Sequence, residues 1–413
     1  MLRRFARYLD KMFTFRRLVD SLVDQRPFAQ ISTATIWRSL FTMFVLRLPS
    51  LNALDHELRR RQWGGWIAGR KPSGDTVAYA AARLDVDSLR RVVEEVARTS
   101  WRRKAIHLSP GESYRVVALD GHELFSSRAR CCDKCLVREL KTKDGPVLEY
   151  YHRVVTAQWV GVTPPMIMDV EPVLPKEGEV AAAGRLLSRL LVSYNRLIDV
   201  FTLDALYLEG PFLRSILDAG KHFVVVLKQE ARLLYQDVEQ LRGHIQPRTE
   251  RQGKRNSRIW DLPNLTSFPT LGTSVRVVCA EETEHRKIFE GGVSKEVTQQ
   301  SLWMWVTDLP VETAAATRIQ KWGHQRWDIE NRGFNELVQL WNMNHCFAHD
   351  PTAILTFLLT LALAFATTYL FHTRNLKPAA RACVSRLDLA RHFLAALPLL
   401  RMPARRAALE PSG

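Results

Sequence analysis

The chain has 413 residues, which is enough for two or three domains and a sizeable hydrophobic core. Its 59 lysine and arginine residues outnumber its 43 aspartate and glutamate residues, so the formal net charge is +16 and the pI is near 9.8. This charge favours a polyanionic partner such as nucleic acid, and the alternative is a basic surface that is merely solvated.

The sequence argues against a secreted protein. The start, MLRRF, lacks the apolar segment and the small-residue cleavage site of a secretory signal. Three of the six cysteines cluster at residues 131–135, which is unlike a disulfide framework. A reducing, cytoplasmic environment is therefore expected.

The first 110 residues are predicted to form a helical domain. Apolar residues recur at helical spacing from Leu18 to Leu46 and again from Val77 to Val92. The turn at residues 71–76 separates the two stretches, and Ser73 or Asp75 could cap the second one. This pattern fits a DNA-binding and dimerisation domain, and an ordinary helical bundle is the alternative reading.

Residues 111–375 are predicted to form an α/β domain. β-branched and aromatic runs indicate strands at residues 114–119, 150–159, 166–170, 200–203 and 223–227. Helical patterns at residues 179–194 and 208–219 lie between the later strands. Three strands followed by a helix, a strand, a helix and a strand predict an RNase H-like mixed sheet.

The remaining segments complete the predicted organisation. Residues 229–300 are predicted to form a mostly β insertion, and residues 376–413 are predicted to form a basic tail. The apolar stretch at residues 353–371 is nearly long enough to span a bilayer. Its threonines and its place in the chain favour a helix buried in the catalytic domain over a membrane span.

Three acidic residues stand out against this pattern. Asp120 and Asp204 each end an apolar strand-like run, and Glu330 lies in a helical pattern. A carboxylate at a strand end is held rigidly, and a bound metal can offset the cost of burying it. Two strand carboxylates and a helix carboxylate could hold two magnesium ions about 3.5–4 Å apart, as nucleases do.

With these residues in view, the chain resembles bacterial insertion-sequence transposases of the DDE class. The resemblance covers residues 115–360 and rests on ALDGHE around Asp120, TLDALY around Asp204, WVTDLP at residues 305–310 and RWDIENRGFNELV around Glu330. It implies that Asp120, Asp204 and Glu330 are catalytic and bind two Mg²⁺ ions, which Mn²⁺ can replace. It also implies that Arg326 lies beside DNA phosphates.

The same resemblance implies a function and partners. Such an enzyme binds the ends of a mobile element, cuts DNA strands and joins the 3′-hydroxyl to target DNA. Double-stranded DNA is then the partner, a homodimer is expected in the DNA complex, and no membrane is involved. We expect the protein at the nucleoid of a bacterial cytoplasm.

The chain departs from a larger group of this class at two positions. That group has a tyrosine three residues before the arginine and a lysine seven residues after the glutamate, where this chain has Gly323 and Leu337. Contacts to the DNA phosphates are therefore expected from other cations. The candidates are Lys321, Arg332 and the insertion residues Arg251, Lys254 and Arg255.

Two further features suggest binding sites. Cys132 and Cys135 have a C-x-x-C spacing that suits a structural zinc ion. A third ligand is Cys131 or His152, with His345 and His349 as further candidates for the set, and free thiols in a loop are the alternative. Trp260, in the insertion, is a candidate for stacking on an unpaired base, although such a residue is more often in the core.

The sequence is also compatible with two other functions. One is a catalytically inactive DNA-binding protein derived from a transposase, and the other is an RNase H-like nuclease that cuts without strand transfer. Terminal inverted repeats beside the gene would favour a mobile element over both.

Overall fold

The computed structural model describes residues 1–143, 145–230, 232–253, 255–290 and 293–398. The chain divides into two compact units, one made of residues 1–92 and 352–413 and the other of residues 93–351. Residues 352–375, which the sequence-based boundaries assigned to the catalytic domain, therefore group with the N-terminal residues.

The described residues contain fourteen α-helices and twelve strands. The helices are α1 (Leu2–Phe13), α2 (Phe15–Asp20), α3 (Thr33–Val45), α4 (Leu51–Arg60), α5 (Gly74–Ala81), α6 (Val86–Arg102), α7 (Glu179–Tyr194), α8 (Gly210–Asp218), α9 (Leu233–His244), α10 (Ala316–Gln325), α11 (Asn335–Trp341), α12 (Pro351–Arg374), α13 (Pro378–Cys383) and α14 (Leu389–Ala395). The strands are β1 (His107–Leu108), β2 (Val116–Ser127), β3 (Leu136–Thr142), β4 (Gly145–Val160), β5 (Val162–Thr163), β6 (Met166–Pro172), β7 (Val200–Leu203), β8 (His222–Val226), β9 (Arg248–Gln252), β10 (Arg255–Leu265), β11 (Val275–Glu290) and β12 (Val293–Thr307).

Serine caps begin three helices of the first unit. The side chains of Ser32, Ser50 and Ser73 each accept a hydrogen bond from the backbone N–H three residues later. These bonds satisfy donors that have no partner within the first helical turn. Of the two candidates from the sequence, Ser73 is therefore the residue that caps α5.

Helix α12 is the segment for which the sequence left a buried helix and a membrane span as alternatives. It is long and apolar enough to cross a membrane, and nearly all of its side chains are buried. In the first unit, Trp37 Nε1 donates to Thr360 Oγ1 at 3.1 Å, and Thr356 Oγ1 donates to the Ala81 carbonyl at 3.1 Å. Packing in the core of this unit accounts for its apolar composition.

The second unit is built on a ten-stranded sheet. The strand order is β3-β4-β2-β7-β8-β12-β11-β10-β9, with β6 also paired to β4. Strand β2 runs antiparallel to β4 and parallel to β7, and β7 runs parallel to β8. The strands β6, β4, β2, β7 and β8 lie side by side in this order. If these five strands alone are numbered along the chain, their order in the sheet is 3-2-1-4-5, and α7 and α8 lie in the connections. This arrangement confirms the predicted RNase H-like mixed sheet.

The predicted β insertion extends this same sheet. Strand β12 pairs antiparallel with β8, and β11, β10 and β9 follow outward in that order. The sequence reading missed helix α9 at its start. Its only buried side chains are Leu234 and Val238, which lie one turn apart, so the apolar face is short and the periodic signal is weak.

The two departures from the larger group have a structural basis. A Cβ atom on Gly323, in α10, would overlap the indole ring of Trp305 on β12. Leu337, in α11, is 1% exposed and belongs to the core. A tyrosine at residue 323 is therefore incompatible with the way α10 lies on the sheet, and a lysine at residue 337 would be buried.

We predict that Gly323→Ala destabilises the protein by about 1–3 kcal/mol, because the added methyl group overpacks a filled site. Chemical denaturation gives the free energy of unfolding. Gly184→Ala is the matched control, since a Cβ at this position of α7 has no atom within 4 Å. Equal stability of the two variants would contradict the packing of α10 against Trp305.

Candidate active site and metal centre

Two of the three acidic residues lie side by side at one edge of the sheet. Strands β2 and β7 are parallel, with Leu119 opposite Leu203, and the next residues are Asp120 and Asp204. Adjacent strands are about 4.8 Å apart, so the two carboxylates begin from neighbouring backbone positions. This juxtaposition follows from strand register.

Glu330 lies at the same edge, where Arg326 bridges it to Asp120. Arg326 Nη1 donates hydrogen bonds to Asp120 Oδ2 at 2.9 Å and to Glu330 Oε1 at 3.2 Å. The side chains of Arg326 and Asp120 are 5% and 16% exposed, whereas that of Glu330 is 35% exposed, so this charge cluster is buried on the Asp120 side and open on the Glu330 side. Glu330 begins a π-helical turn, Glu330–Phe334, between α10 and α11. Such turns are frequent at functional sites because they change which way a helical residue points.

The carboxylates at this edge are not fully neutralised by protein cations. Burial raises the pKa of Asp120 to about 7; Arg326 opposes the rise, whereas Glu330 and Glu179 add to it. Asp204 Oδ1 is buried and accepts no hydrogen bond from the described residues, and the nearest ammonium, Lys228 Nζ, is 3.6 Å away. An oxygen-only donor set with surplus negative charge suits a hard divalent cation such as Mg²⁺.

Glu179 is a fourth carboxylate at this edge, and the sequence reading missed it. Its carboxylate lies against the backbone of Gly121, where it occupies the space that a Cβ would need. Tyr207 Oη donates to Glu179 Oε1 at 2.7 Å, and Arg153 Nη2 lies 2.6 Å from Oε2. An acid in the first turn of α7 looks like an ordinary helix N-terminal residue, and only Gly121 after Asp120 hinted at close packing.

Other acids near the motifs are engaged elsewhere. Asp328 accepts a hydrogen bond from the Gly161 N–H at 3.0 Å, so it fixes a turn. Glu123 pairs with Arg138 at 2.8 Å, and Asp199 pairs with Arg115 at 2.7 Å. These contacts leave Asp120, Asp204 and Glu330 as the acids that share one edge with Glu179.

The cations predicted to contact DNA around Glu330 fall into two groups. Arg326 is buried against Asp120 and Glu330, so its contact is to carboxylates in this structure. Lys321 lies 3.1 Å from Glu112 and Arg332 lies 3.6 Å from Asp328, and more than a third of each of the two side chains is exposed. Lys321 and Arg332 are therefore accessible to a ligand, whereas Arg326 holds the acidic residues together.

The basic residues of the insertion lie on its outer strands. Arg251 is exposed on β9, Arg255 is on β10 facing Glu282 and Glu284, and Lys254 lies outside the described residues. Arg255 lines a cavity of about 510 Å³ together with Trp303, Trp327, His324 and Asn331. Asn331 follows Glu330 directly, so this cavity is close in the chain to the acidic edge.

The structure corrects the interpretation of Trp260. Its side chain is 5% exposed, its Nε1 donates to the Ile245 carbonyl at 2.9 Å, and Arg242 and Arg258 lie near its ring faces. Stacking on an unpaired base is not available to a ring in this position. The aromatic residues that do reach a cavity, Trp303 and Trp327, were not singled out from the sequence.

A second cluster consists of two thiols and two imidazoles. Cys132 and Cys135 come from the loop between β2 and β3, His152 lies on β4, and His349 lies between α11 and α12. Their ligand atoms all lie within 4.8 Å of one another, and the cluster could hold a metal ion. Of the candidates from the sequence, His152 and His349 join the cysteines, whereas Cys131 is exposed and is not among the four grouped residues; His345 is not among them either.

The comparison with known protein families gives one match in this chain. Residues 162–366 match the family model described as a transposase DDE domain. The matched segment includes Asp204 and Glu330 and begins after Asp120. No curated protein matches the chain.

We predict that Glu179→Gln moves the pH dependence of divalent-metal binding to lower pH. Below a pKa of about 7, Asp120 binds a proton that competes with the cation, and Glu179 is one of the charges that raise this pKa. Mn²⁺ binding measured by calorimetry between pH 5 and pH 8.5 gives the midpoint separately from the plateau affinity. Glu312→Gln, at an exposed position, is the control, and an unchanged midpoint in Glu179→Gln would contradict the proximity of the two carboxylates.

Proposed function

The chain carries a transposase DDE domain on an RNase H-like sheet and belongs to the DDE-type insertion-sequence transposases, and on this premise we propose that it cuts and joins DNA at the ends of a mobile element. DNA is the partner that the family implies. The proposed sequence of steps is binding of the element ends, metal-dependent hydrolysis of a phosphodiester bond, and attack of the freed 3′-hydroxyl on a phosphodiester bond of target DNA, which joins the two DNAs and releases a 3′-hydroxyl of the target.

The observation that carries this proposal is the meeting of three carboxylates from distant parts of the chain. Asp120, within β2, and Asp204, directly after β7, lie where the parallel pairing of these two strands ends, and Glu330 shares one guanidinium nitrogen with Asp120. The proposed role of all three is to hold two magnesium ions. Bound there, the ions would supply Lewis-acid activation of the attacking hydroxyl and charge stabilisation at the leaving oxygen.

The protein's own groups prepare this edge for a cation and a phosphate. Arg326 keeps the carboxylates of Asp120 and Glu330 within reach of one atom and limits their mutual repulsion. Glu179, which pairs with Arg153, adds negative charge close to Asp120 and so favours a cation at this edge. Lys228, whose side chain is 56% exposed, lies at the same edge and can contact a bound phosphate.

DNA binding is proposed to involve cations around this edge and on the first unit. Lys321, Arg332, Arg251 and Arg255 are accessible in part, and a net charge of +16 supports phosphate contacts that weaken with salt. Joining two element ends in one complex favours a homodimer on DNA. The proposed place of action is the bacterial nucleoid, in the cytoplasm.

The two alternative functions make different predictions in one assay. An inactive derivative binds terminal-repeat DNA but does not cut it, and a nuclease cuts it without producing joined products. Incubation of the protein with labelled terminal-repeat DNA, a target plasmid and Mg²⁺ separates all three. Products in which the labelled end is covalently joined to the plasmid support the transposase.

We further propose that the Cys/His cluster binds zinc. The two sulfurs are 3.7 Å apart, the two Nε2 atoms are 3.3 Å apart, and three of the sulfur–nitrogen distances are 3.2–3.4 Å. A tetrahedral zinc ion has zinc–sulfur distances of about 2.3 Å and zinc–nitrogen distances of about 2.05 Å. These distances require separations of about 3.8 Å between the sulfurs, about 3.3 Å between the nitrogens and about 3.6 Å between a sulfur and a nitrogen. Thiolate and imidazole ligands also favour zinc over magnesium.

We predict that Asp120→Asn, Asp204→Asn and Glu330→Gln each lower strand cleavage by more than about 100-fold, because a bound metal supplies several kcal/mol to the transition state. Binding to the element ends should stay near the wild-type level, since the amides keep the size of the side chain and the phosphate contacts come from other residues. A cleavage assay and a gel-shift titration on the same DNA measure the two effects.

Asp218→Asn and Glu312→Gln are the controls for the three acidic variants, because both residues are exposed and outside the acidic edge. Both controls should cut at the wild-type rate. Near-normal cleavage by any one of the three acidic variants would show that its carboxylate is not part of the catalytic set.

We predict about one zinc ion per chain in purified protein, and a loss of most of it in Cys135→Ser, because removal of one thiolate from four ligands breaks the tetrahedral set. Elemental analysis by mass spectrometry measures the ratio. Cys383→Ser, at an exposed cysteine of the first unit, should keep its zinc. Wild-type protein without zinc after expression in zinc-supplied medium would rule out this occupant.

A further inference from the structure

We propose that the metal centre formed by Cys132, Cys135, His152 and His349 is a cross-link that sets the position of Glu330 relative to Asp120. The proposal rests on the proposed function of the acidic edge and on metal binding by the cluster. It assigns the centre a positioning role in the reaction, in addition to stabilising a loop.

The four ligands of the cluster come from two parts of the second unit. Cys132 and Cys135 follow β2, the strand that carries Asp120, and His152 lies on β4, which pairs with β2 along its length. His349 follows α11, which continues directly from the π-helical turn that begins at Glu330. Three ligands therefore come from the β2–β4 segment that carries Asp120, and one comes from the segment that follows Glu330. His152 and His349 are 197 residues apart in the sequence.

Other contacts join the same two segments between the acidic edge and the cluster. His122, two residues after Asp120, lies 2.9 Å from Asn344 Oδ1 through Nε2, and its ring stacks on Phe334 with centroids 4.6 Å apart. Further along β2, the Phe125 ring packs against both imidazoles, with centroids 5.5 Å from His152 and 5.7 Å from His349. These contacts of His122 and Phe125 follow one another along β2 from Asp120 to the metal ligands.

The segment that the metal would hold is irregular. Residues 342–350, all within the described part of the chain, form neither helix nor strand. This segment belongs to no strand of the sheet, and side-chain contacts such as His122 with Asn344 and Phe125 with His349 help to place it beside β2. A four-coordinate metal fixes His349 at about 2.0–2.1 Å from the ion, which is far more restrictive than ring packing.

The position of Glu330 affects magnesium binding at the acidic edge because Mg²⁺ has strict coordination geometry. Mg²⁺ requires near-octahedral ligands at about 2.0–2.1 Å, and functional groups must be held to within about 0.5 Å. A shift of the Glu330 turn by about 1 Å would therefore weaken metal binding at the acidic edge. The cross-link keeps this turn in register with β2.

The experiment compares wild type, His349→Ala and His349→Cys as full-length proteins without DNA. Mn²⁺ affinity at the acidic edge is measured by calorimetry, and hydrogen exchange is measured by mass spectrometry over residues 328–350. His349→Ala should bind Mn²⁺ about tenfold more weakly, the size of effect that outer contacts have at metal sites, with faster exchange in this segment. His349→Cys should restore both, because three cysteines and one histidine also form a structural zinc set.

His345→Ala is the matched control, since His345 lies four residues earlier in the same segment and is not among the four clustered residues. Unchanged Mn²⁺ affinity and exchange in a zinc-depleted His349→Ala protein would overturn the proposal. If that variant does not fold, wild-type protein stripped of metal and then resupplied with zinc decides between the same outcomes. Because neither readout needs DNA, absence of cleavage would count against the proposed function and leave this test intact.

Discussion

The arrangement of this site depends on the pairing of Arg326 with Asp120 and Glu330. Parallel strands β2 and β7 bring Asp120 next to Asp204, and α7 adds Glu179, so negative charge accumulates at a partly buried edge. One guanidinium nitrogen that donates to two carboxylates offsets part of this repulsion and fixes the turn that begins at Glu330. The surplus charge that remains is what a divalent cation would neutralise.

The sheet explains why residues so far apart in the sequence can cooperate. The insertion extends the RNase H-like core through β12 and β8, so Trp305 on β12 lies beneath α10, the helix that leads to Arg326. The side chain missing at Gly323 allows this close approach. The insertion is thus part of the support for the acidic edge, as well as a carrier of basic residues such as Arg255.

The two candidate metal sites differ in chemistry and in proposed role. The acidic edge offers oxygen atoms, which suit a hard ion that remains exchangeable and can contact a phosphate. The cluster of Cys132, Cys135, His152 and His349 offers four soft or borderline ligands within 4.8 Å, which closes the coordination shell and suits a structural ion. In this proposal, the closed cluster holds the geometry and the open acidic edge carries out the reaction.

The sequence by itself determined the features that local pattern encodes. Apolar runs ending in Asp120 and Asp204 predicted the strands and the edge that the structure shows, and the spacing of Cys132 and Cys135 predicted half of the cluster. Long-range packing decided the rest. Trp260 lies on β10 in the segment predicted to be mostly β, and it is buried because Arg242 of α9 and Ile245, directly after α9, contact it, a helix that the local pattern did not reveal. His349 and Glu179 reach their partners only when segments far apart in the chain fold together, and such proximity leaves no periodic trace in the sequence.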